Sequence, residues 1–486
     1  MLLLKGSFVS AFLLVISLIA NVEAANGFSK RLVPPQTPAT DPFYQAPAGY
    51  EFLAPGTVIR SRSFIPAGLG LIVDILSVRS YQVLFRTNGI NNKPIVSVVT
   101  ILSPLLAPND RFVSFANEED SSASICAPSY NYQFLAFPSN LLVQADLLVV
   151  QAYLLSGYTV SIPDHEGPDS AFAVGRLAGR VVLDSMRATQ NFKDLGLKPN
   201  SMVAGVGYSG GAIAVGWAAQ LQPTYAPEIN IASFAIGGVP ANLTGTFAFV
   251  DGTTFSGFLP PAIVGFQAES AYPELRQLVN RVATPAGQQA LQFASTHCVV
   301  DDILSFAFQK VADKKFSSLG DRILYDPQVA GVLNDNLMGS NAFETPTKPI
   351  LIYHASQDEI IPYANTSTLV DTYCNRGAAV HFTTYQAGGH LTTIVDGLPQ
   401  TLQWVADGFA GKLKNNKGCQ RDEKLDSPLD PVALGVELEP VLIGLINILA
   451  KLGEGDSNVQ QNLHTLNQTA TVPPLNKAAI ASRQLH

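Results

Sequence analysis

Residues 202–211 read Met-Val-Ala-Gly-Val-Gly-Tyr-Ser-Gly-Gly, and this stretch carries the strongest structural signal in the chain. Its apolar start, Met202–Val206, predicts a short buried strand, and the small-residue pattern of Gly210–Leu221 predicts a helix. Between them Gly-Tyr-Ser-Gly-Gly matches Gly-x-Ser-x-Gly, in which a serine lies on a strained strand-to-helix turn. Small residues are expected at 207 and 211 because such a turn brings backbone segments close together. A tight turn without chemistry is the alternative, but the framing strand and helix favour Ser209 as a nucleophile.

Other strand-like runs precede and follow this stretch. They are rich in β-branched or aromatic residues and are bounded by turn residues. A helical pattern over Val174–Asn191 lies between two of them, so strands and helices alternate. This alternation predicts an α/β fold with a mostly parallel central sheet covered by helices on both faces. Together with the Gly-x-Ser-x-Gly turn, it indicates the α/β-hydrolase type. The runs are Tyr81–Arg86, Ile95–Ile101, Phe112–Phe115, Tyr158–Ile162, Ile231–Ile236, Pro349–His354 and Val380–Tyr385.

A nucleophilic serine needs a base, and the base needs a carboxylate that orients it. In this fold the acid and the histidine both follow the serine in the sequence, and the acid comes first. Each lies on a loop after one of the last strands. Asp358 follows the run Pro349–His354, and His390 follows the run Val380–Tyr385, so both occupy the expected places. Glu359 is the rival to Asp358. We favour Asp358 because aspartate is the commoner orienting group and because it lies nearer the end of its strand.

The other histidines are weaker candidates for the base. His165 precedes Ser209 and therefore breaks the expected order, so we interpret it as a structural group near the site. His354 and His381 lie inside strand-like runs and are expected to be packed there. His390 is therefore the predicted base.

The pattern also predicts how the chain is divided. A charged start followed by an apolar run and small residues at 22 and 24 is typical of a signal peptide, which places the protein outside the cell. After residue 238 the strand pattern stops for about a hundred residues, which indicates an inserted, mainly helical cap or lid. The predicted segments are 1–24, signal peptide; 25–238, first part of the core with an N-terminal arm; 239–343, cap; 344–425, second part of the core; and 426–486, a partly disordered C-terminal extension.

Composition excludes some classes of partner. The formal net charge is −8, only 14% of residues are charged, and no cluster of Lys and Arg is available to neutralise phosphates, so nucleic acid is not an expected partner. The four cysteines are too far apart for a Cys-x-x-Cys site. An even number in an exported chain predicts two disulfides, with three possible connectivities. Sequons predict glycosylation at Asn242, Asn365 and Asn467.

The candidate site residues lie in motifs that resemble those of the fungal secretory lipases, a family within the α/β-hydrolase superfamily. The likeness extends from about residue 41 to about residue 419, and it is weakest inside the predicted cap and at the longer C-terminal tail. The matching motifs are Tyr208–Ala212, Asp358–Pro362, His390–Thr392, Asp41–Tyr44, Cys126–Tyr130, Asp164–Gly167 and Tyr225–Glu228.

The resemblance implies roles that spacing alone does not give. It assigns the triad roles to Ser209, Asp358 and His390, and it implies an oxyanion hole formed by Asp120 with the backbone N–H of Gly210. Because an ionised carboxylate would repel an oxyanion, the donor at 120 must be its backbone N–H or a protonated carboxyl.

The resemblance also implies two disulfides and a channel for an acyl chain under the cap. The implied disulfides are Cys126–Cys298 and Cys374–Cys419. The apolar residues expected to line the channel, or alternatively to form the core of the cap, are Phe255, Phe258, Leu259, Ile263 and Phe266.

The function expected from these observations is hydrolysis of lipid carboxylic esters of the triacylglycerol type, through an acyl-enzyme. The expected partner is an ester substrate, met at an oil–water or membrane interface, with no stable protein partner, cofactor or metal implied. One alternative is a carboxylesterase or acyltransferase for smaller esters. Another is a secreted binding protein that has lost turnover, which a complete triad argues against.

Overall fold

The computed structural model describes residues 33–67, 78–137, 140–415 and 418–425. The chain divides after Pro35, and the fold below is that of the unit that begins at Gln36. The predicted signal peptide, the C-terminal extension from residue 426 and Asn467 lie outside the described residues. None of the helices in the described ranges has the length and apolar character needed to cross a bilayer.

A ten-stranded sheet forms the centre of this unit. The strands are β1 Val58–Ser63, β2 Val78–Asn88, β3 Pro94–Pro104, β4 Arg111–Ala116, β5 Val160–Pro163, β6 Met202–Tyr208, β7 Ile231–Gly237, β8 Ile350–Ala355, β9 Val380–Tyr385 and β10 Cys419–Lys424. Their order across the sheet is β1-β2-β3-β5-β4-β6-β7-β8-β9-β10. Neighbouring strands from β5 to β10 are parallel, whereas β1, β2 and β3 pair antiparallel with their neighbours. The predicted mostly parallel sheet is therefore confirmed.

Twelve α-helices occur among the described residues. They are α1 Pro128–Asn131, α2 Leu141–Leu155, α3 Gly175–Asn191, α4 Ser209–Tyr225, α5 Leu243–Val250, α6 Leu259–Phe266, α7 Leu275–Val282, α8 Pro285–Ala294, α9 Val299–Phe306, α10 Pro327–Asp335, α11 Tyr363–Asn375 and α12 His390–Phe409. Six of them, α5 to α10, lie between β7 and β8, which is where the sequence predicts the cap. The division of 239–343 from the core as a separate domain stays a prediction.

Helices cover both faces of the sheet, as β8 illustrates. Leu351 and Tyr353 pack in one buried cluster with side chains of α2 and α12, whereas Ile350 and Ile352 pack in another with side chains of α4 and α11. Successive side chains of a strand point to opposite faces, so this alternation requires apolar helices on both sides. The continuous apolar runs in the sequence follow from burial on both faces.

Two disulfides join distant parts of the chain. Cys126 bonds with Cys298, and Cys374 bonds with Cys419, with Cα atoms 5.6 Å apart in each pair. Both pairings implied by the resemblance are present. The first bond links the loop after β4 to the start of α9, and the second links α11 to β10.

Candidate active site

Ser209 lies at the turn between β6 and α4, in the conformation that the sequence predicts. Its φ is +48°, a left-handed value that non-glycine residues adopt rarely and at a cost in strain. The turn is tight enough that a Cβ on Gly207 would collide with the carbonyl of Gly211, and a Cβ on Gly211 would collide with the carbonyl of Ala116. Glycine is therefore required at both positions, as expected from the motif.

The other two candidate residues lie on the same edge of the sheet as Ser209. Asp358 follows β8 and His390 begins α12 directly after β9, and the carboxyl ends of the parallel strands β6, β8 and β9 meet at this edge. Nε2 of His390 is 2.8 Å from Oγ of Ser209, and Nδ1 of His390 is 2.7 Å from Oδ2 of Asp358. The three residues, about 180 positions apart at the extremes of the sequence, form one hydrogen-bonded chain.

Asp358 accepts hydrogen bonds on both carboxylate oxygens. Oδ1 accepts the backbone N–H groups of Ile360 and Ile361, at 2.9 and 2.6 Å. Oδ2 faces His390 and also lies 3.0 Å from Nε2 of His354. Burial by itself would raise the pKa of Asp358, but the two histidines and these hydrogen bonds hold that pKa well below its usual range. Asp358 is therefore a carboxylate at neutral pH.

The same pairing changes the pKa of His390. Burial of the imidazole opposes protonation, but the charge and hydrogen bond of Asp358 outweigh it and raise the pKa of His390 above 6.5. A base with a raised pKa accepts a proton from a serine hydroxyl more readily.

Glu359, the rival orienting acid, occupies a different position. Its Oε2 accepts the backbone N–H of His390 at 2.6 Å, whereas Nδ1 of the His390 ring pairs with Asp358. Burial and the nearby Asp358 raise the pKa of Glu359. Geometry therefore favours Asp358 over Glu359 as the partner of the ring, and Glu359 holds the backbone at the start of α12.

Asp120 lies beside the first turn of α4. Its carboxyl faces Gly210 so closely that a Cβ on Gly210 would overlap Oδ1 of Asp120. Asp120 has a φ of +47° and is buried, and its Oδ1 has no hydrogen-bond partner within the part of the chain that the structure describes. Burial raises the pKa of Asp120 to about 7, and the charge of His390 lowers that pKa by a smaller amount.

The backbone N–H of Asp120 is directed toward a neighbouring acid. The N–H groups of Ser121 and Asp120 lie near the carboxyl of Glu166 and lower its pKa, against the larger effect of burial. Of the two donors that the sequence left open at position 120, the side-chain carboxyl is the one that faces Gly210.

Several buried acids surround Asp120. Burial, followed by the charges of neighbouring acids, raises the pKa values of Glu118, Glu119 and Glu166 well above the usual range for glutamate. Nδ1 of His165 lies 3.9 Å from Oε2 of Glu119, and burial lowers the pKa of His165 to about 3. These acids are therefore harder to ionise than an exposed glutamate, and His165 has the buried position near the site that we expected.

Two cavities open at Ser209, and a third adjoins one of them. The near cavity is lined by Asp120, Ser209 and Gly210 together with apolar side chains. The His390 cavity is lined by Ser209 and His390. The far cavity, almost wholly apolar, shares four wall residues with the near cavity, namely Phe247, Ala262, Phe266 and Leu333.

All five apolar residues predicted for an acyl channel line these cavities. Phe258 lines both cavities at Ser209, Leu259 the near cavity, Phe255 the His390 cavity, Ile263 the far cavity, and Phe266 the near and far cavities. Phe255, Leu259 and Phe266 also belong to buried clusters, so the alternative of a packed core describes the same side chains.

Sequence reasoning missed three contributions to this site. His354 was expected only to be packed in a strand, but it also lies against Asp358 and is 3.1 Å from the carbonyl of Ile361. The role of Glu166 was signalled only by the motif Asp164–Gly167, and nothing in the sequence separated Glu118 from its neighbour Glu119. The contacts of His354 are local but no motif reports them, whereas the position of Glu118 depends on Asp146, in a segment further along the chain.

Two of the three sequons are described. Oδ1 of Asn242 accepts the backbone N–H of Gly245 and caps α5, and Asn365 lies in α11 with its side chain close to Gly245. Both side chains are half-buried. Glycosylation of these residues stays a prediction.

Comparisons with known proteins agree with the site described above. The sequence profile of the secretory lipase family covers residues 133–417. The chain belongs to the secretory lipase family. It is 37% identical over 416 residues to a secreted triacylglycerol lipase of Malassezia furfur, covering 85% of this chain and 84% of that one. It is 38% identical over 441 residues to one from Malassezia globosa, covering 90% and 92%.

Solved structures lead to the same family. The crystal structure of Candida antarctica lipase A in its closed state superposes with a TM-score of 0.76 at 29% identity, covering 85% of this chain and 96% of that one. The α/β-hydrolase fold of this secretory lipase is thereby confirmed, and so are its classification as a secreted carboxylic ester hydrolase and the family that the motifs indicated.

Proposed function

We propose that this secretory lipase hydrolyses the carboxylic esters of acylglycerols through an acyl-enzyme on Ser209. His390 takes the proton of the Ser209 hydroxyl as Oγ attacks the ester carbonyl, and it then returns that proton to the leaving alcohol. Asp358 holds the imidazole with Nε2 facing the serine and stabilises the imidazolium. Water, activated by His390 in the same way, releases the fatty acid in the second half of the reaction.

The observation that carries this proposal is the hydrogen-bonded chain of Ser209, His390 and Asp358 at one edge of the sheet, with both links shorter than 3 Å. The strained backbone at Ser209 holds its hydroxyl at the mouth of two cavities. Hydrolysis of an emulsified long-chain triacylglycerol, compared with that of a dissolved butyryl ester, tests the substrate class. Activity confined to the dissolved ester would favour the carboxylesterase alternative.

The proposed oxyanion hole consists of the backbone N–H of Gly210 and the carboxyl of Asp120. The N–H belongs to the first turn of α4, where no carbonyl within the helix accepts it, and the helix dipole favours negative charge there. A neutral Asp120 carboxyl supplies the second donor, because its pKa of about 7 keeps it protonated in acidic solution.

Replacing Asp120 tests this donor. We expect Asp120→Leu to lower kcat by about 10²- to 10³-fold, which is the usual cost of one lost oxyanion donor. In wild type, deprotonation of His390 gives the acidic limb of the kcat profile, and loss of the neutral form of Asp120, whose pKa is about 7, gives the alkaline limb. Asp120→Asn keeps a neutral donor, so its activity should persist at higher pH. A kcat profile against pH measures both effects, and an unchanged alkaline limb in Asp120→Asn would contradict the assignment.

The near and far cavities together fit a fatty acyl chain. The carbonyl carbon must lie at Ser209 and its oxygen at Asp120 and Gly210, all of which line the near cavity, so the chain attached to that carbonyl extends toward the far cavity. Burial of each methylene contributes about 0.8 kcal/mol, which favours longer chains as far as the cavities extend.

Closing the passage between the two cavities should shorten the preferred acyl chain. Ala262 lines both of them, and an indole at this position would fill the connection. We expect Ala262→Trp to lower kcat/KM for palmitoyl esters by about 10²-fold or more, in proportion to the methylenes excluded, and to affect butyryl esters far less. Ala262→Ser is the matched control with little added volume. If both variants show the wild-type dependence on chain length, the acyl chain follows another route.

Exposed apolar side chains near the site support action at an oil–water interface. Leu304 of α9, 74% exposed, lines the His390 cavity. Phe308, 71% exposed, lies in a left-handed conformation with its N–H bonded to the carbonyl of Thr253. A strained backbone that presents a phenyl ring to solvent is unusual, and contact with lipid offers a reason for it.

Substitution of Phe308 tests the interface. We expect Phe308→Ser to lower activity on a triacylglycerol emulsion by about three- to tenfold, since burying a phenylalanine side chain in lipid is worth about 1.5–3 kcal/mol at most. The loss on a dissolved butyryl ester should be smaller. Phe52→Ser removes another exposed phenyl, 86% exposed and beside β3, and serves as the control. Equal losses in the two assays for Phe308→Ser would argue against a lipid contact.

A further inference from the structure

We expect the two cavities at Ser209 to hold the two sides of the ester, the acyl chain in one and the leaving alcohol in the other. The near cavity contains the oxyanion donors and receives the acyl side, as argued above. The leaving oxygen has to lie close to Nε2 of His390, because that atom returns the proton to it. His390 lines the other cavity, and the leaving alcohol therefore occupies the His390 cavity.

The His390 cavity has one ionisable wall residue that the reaction does not use. Its lining is otherwise apolar, from residues such as Leu142, Val300 and Ile303, apart from Ser209 and His390 themselves. The exception is Glu118, which adjoins the proposed oxyanion residues but takes no part in acyl transfer. A single acid in an apolar wall is the usual arrangement of a group that fixes the orientation of a ligand.

The main chain of Glu118 is anchored by a hydrogen bond, but its carboxyl keeps an oxygen without a partner among the described residues. Its backbone N–H donates to Oδ2 of Asp146 at 2.7 Å, which anchors the main chain. Oε1 of Glu118 is buried and has no hydrogen-bond partner among the described residues. Because an unsatisfied buried polar atom is destabilising, a ligand that forms a hydrogen bond with it gains binding free energy.

The protonation state of Glu118 decides which ligand group it suits. Burial, and then the charges of Asp146 and Asp120, raise the pKa of Glu118 well above its usual range. A neutral carboxyl both donates and accepts a hydrogen bond, as a hydroxyl does, so the two groups can exchange a pair of bonds. A simple alkyl ester brings no hydroxyl into this cavity, whereas a glycerol with a free position does.

We propose that Glu118 is a specificity-determining residue that binds a free hydroxyl of the leaving alcohol in the His390 cavity. The substrate class that follows is partial acylglycerols, in which a hydroxyl neighbours the scissile ester. This inference rests on the proposed function, since it presumes ester cleavage at Ser209, and it adds the alcohol side of the substrate to it.

The test compares two esters of one acid. The specificity is the ratio of kcat/KM for monooctanoylglycerol to kcat/KM for ethyl octanoate, so that effects on the acyl side cancel. We expect Glu118→Leu to lower this ratio about tenfold, the size of one lost hydrogen bond to a buried group. Glu118→Gln keeps a donor and an acceptor, and it should stay within about threefold of the wild-type ratio.

A matched control is available on α9. Asp302 is also a buried acid whose carboxyl oxygens have no partner in the described part of the chain, but it does not line the His390 cavity, although its neighbour Ile303 does. Asp302→Leu therefore makes the same kind of change and should keep the ratio. Thermal unfolding and labelling by a fluorophosphonate show that each variant is folded with a reactive serine.

The outcomes separate this inference from the proposed function. A folded, labelled Glu118→Leu enzyme with the wild-type ratio would overturn it, as would a wild type that cleaves both esters with equal kcat/KM. If Glu118→Leu fails to fold, a Glu118→Gln enzyme that loses the ratio while keeping its activity on ethyl octanoate also overturns it. A wild-type enzyme that is inactive on both esters would instead contradict the proposed ester hydrolysis.

Discussion

Ser209→Ala is expected to lower kcat on any ester substrate by roughly 10⁵- to 10⁶-fold, because Ser209 is the nucleophile held against Nε2 of His390. His390→Ala should be nearly as damaging. The two residues act as one unit, so the double variant is expected to be little worse than either single variant. What activity remains would come from the oxyanion donors and from substrate binding.

Steady-state kinetics on active-site-titrated enzyme measure these losses. Labelling by a fluorophosphonate should disappear in Ser209→Ala and become very slow in His390→Ala, since the reagent needs an activated hydroxyl. Ser256→Ala is the matched control, because Ser256 is also buried but hydrogen-bonds to the backbone of its own loop. Labelling that persists in folded Ser209→Ala would place the nucleophile elsewhere, and full activity in His390→Ala would mean that another group is the base.

Asp358→Asn carries the second-largest expected effect, a loss of about 10⁴-fold in kcat. Asn can still accept the N–H groups of Ile360 and Ile361 on one atom, but its amide nitrogen then faces Nδ1 of His390 as a donor. The imidazole would be held with its proton on Nε2, and it could no longer accept the proton of Ser209. The pKa of His390 would also fall, because the carboxylate raises it.

Glu359→Gln is the matched control for this substitution. It changes the adjacent acid to an amide in the same way, while Gln keeps an oxygen that accepts the backbone N–H of His390. We expect an effect on kcat of less than about tenfold, since only a positioning contact is altered. If Glu359→Gln proved more damaging than Asp358→Asn, the assignment of the orienting carboxylate would be reversed.

Much of this site could be predicted from the sequence because its components are local. The glycines at 207 and 211 are required by backbone contacts within one turn, so a short motif reports them. Asp358 and His390 could be found because the fold requires each to follow a strand, and strands are marked by apolar runs. The choice between Asp358 and Glu359 was a preference in the sequence, and the position of the imidazole ring then favoured Asp358.

Other features needed information that no single segment contains. The pairing of the four cysteines was one of three possibilities until the family resemblance and then the structure selected it. Which group of Asp120 faces the site depends on its approach to Gly210, in a segment far along the chain. Contacts of this kind arise when distant loops approach each other, and sequence periodicity gives no information about that approach.

By itself, the sequence determined that Ser209 lies on a strand-to-helix turn and that an acid and a histidine follow it in the order the fold requires. Apolar periodicity and glycine positions are enough for that, because strands, helices and tight turns are set by nearby residues. Only the tertiary structure showed that two cavities meet at Ser209 and that Glu118 lines one of them. Cavities are bounded by segments from several elements at once, and the charge state of an acid depends on how deeply all of them bury it.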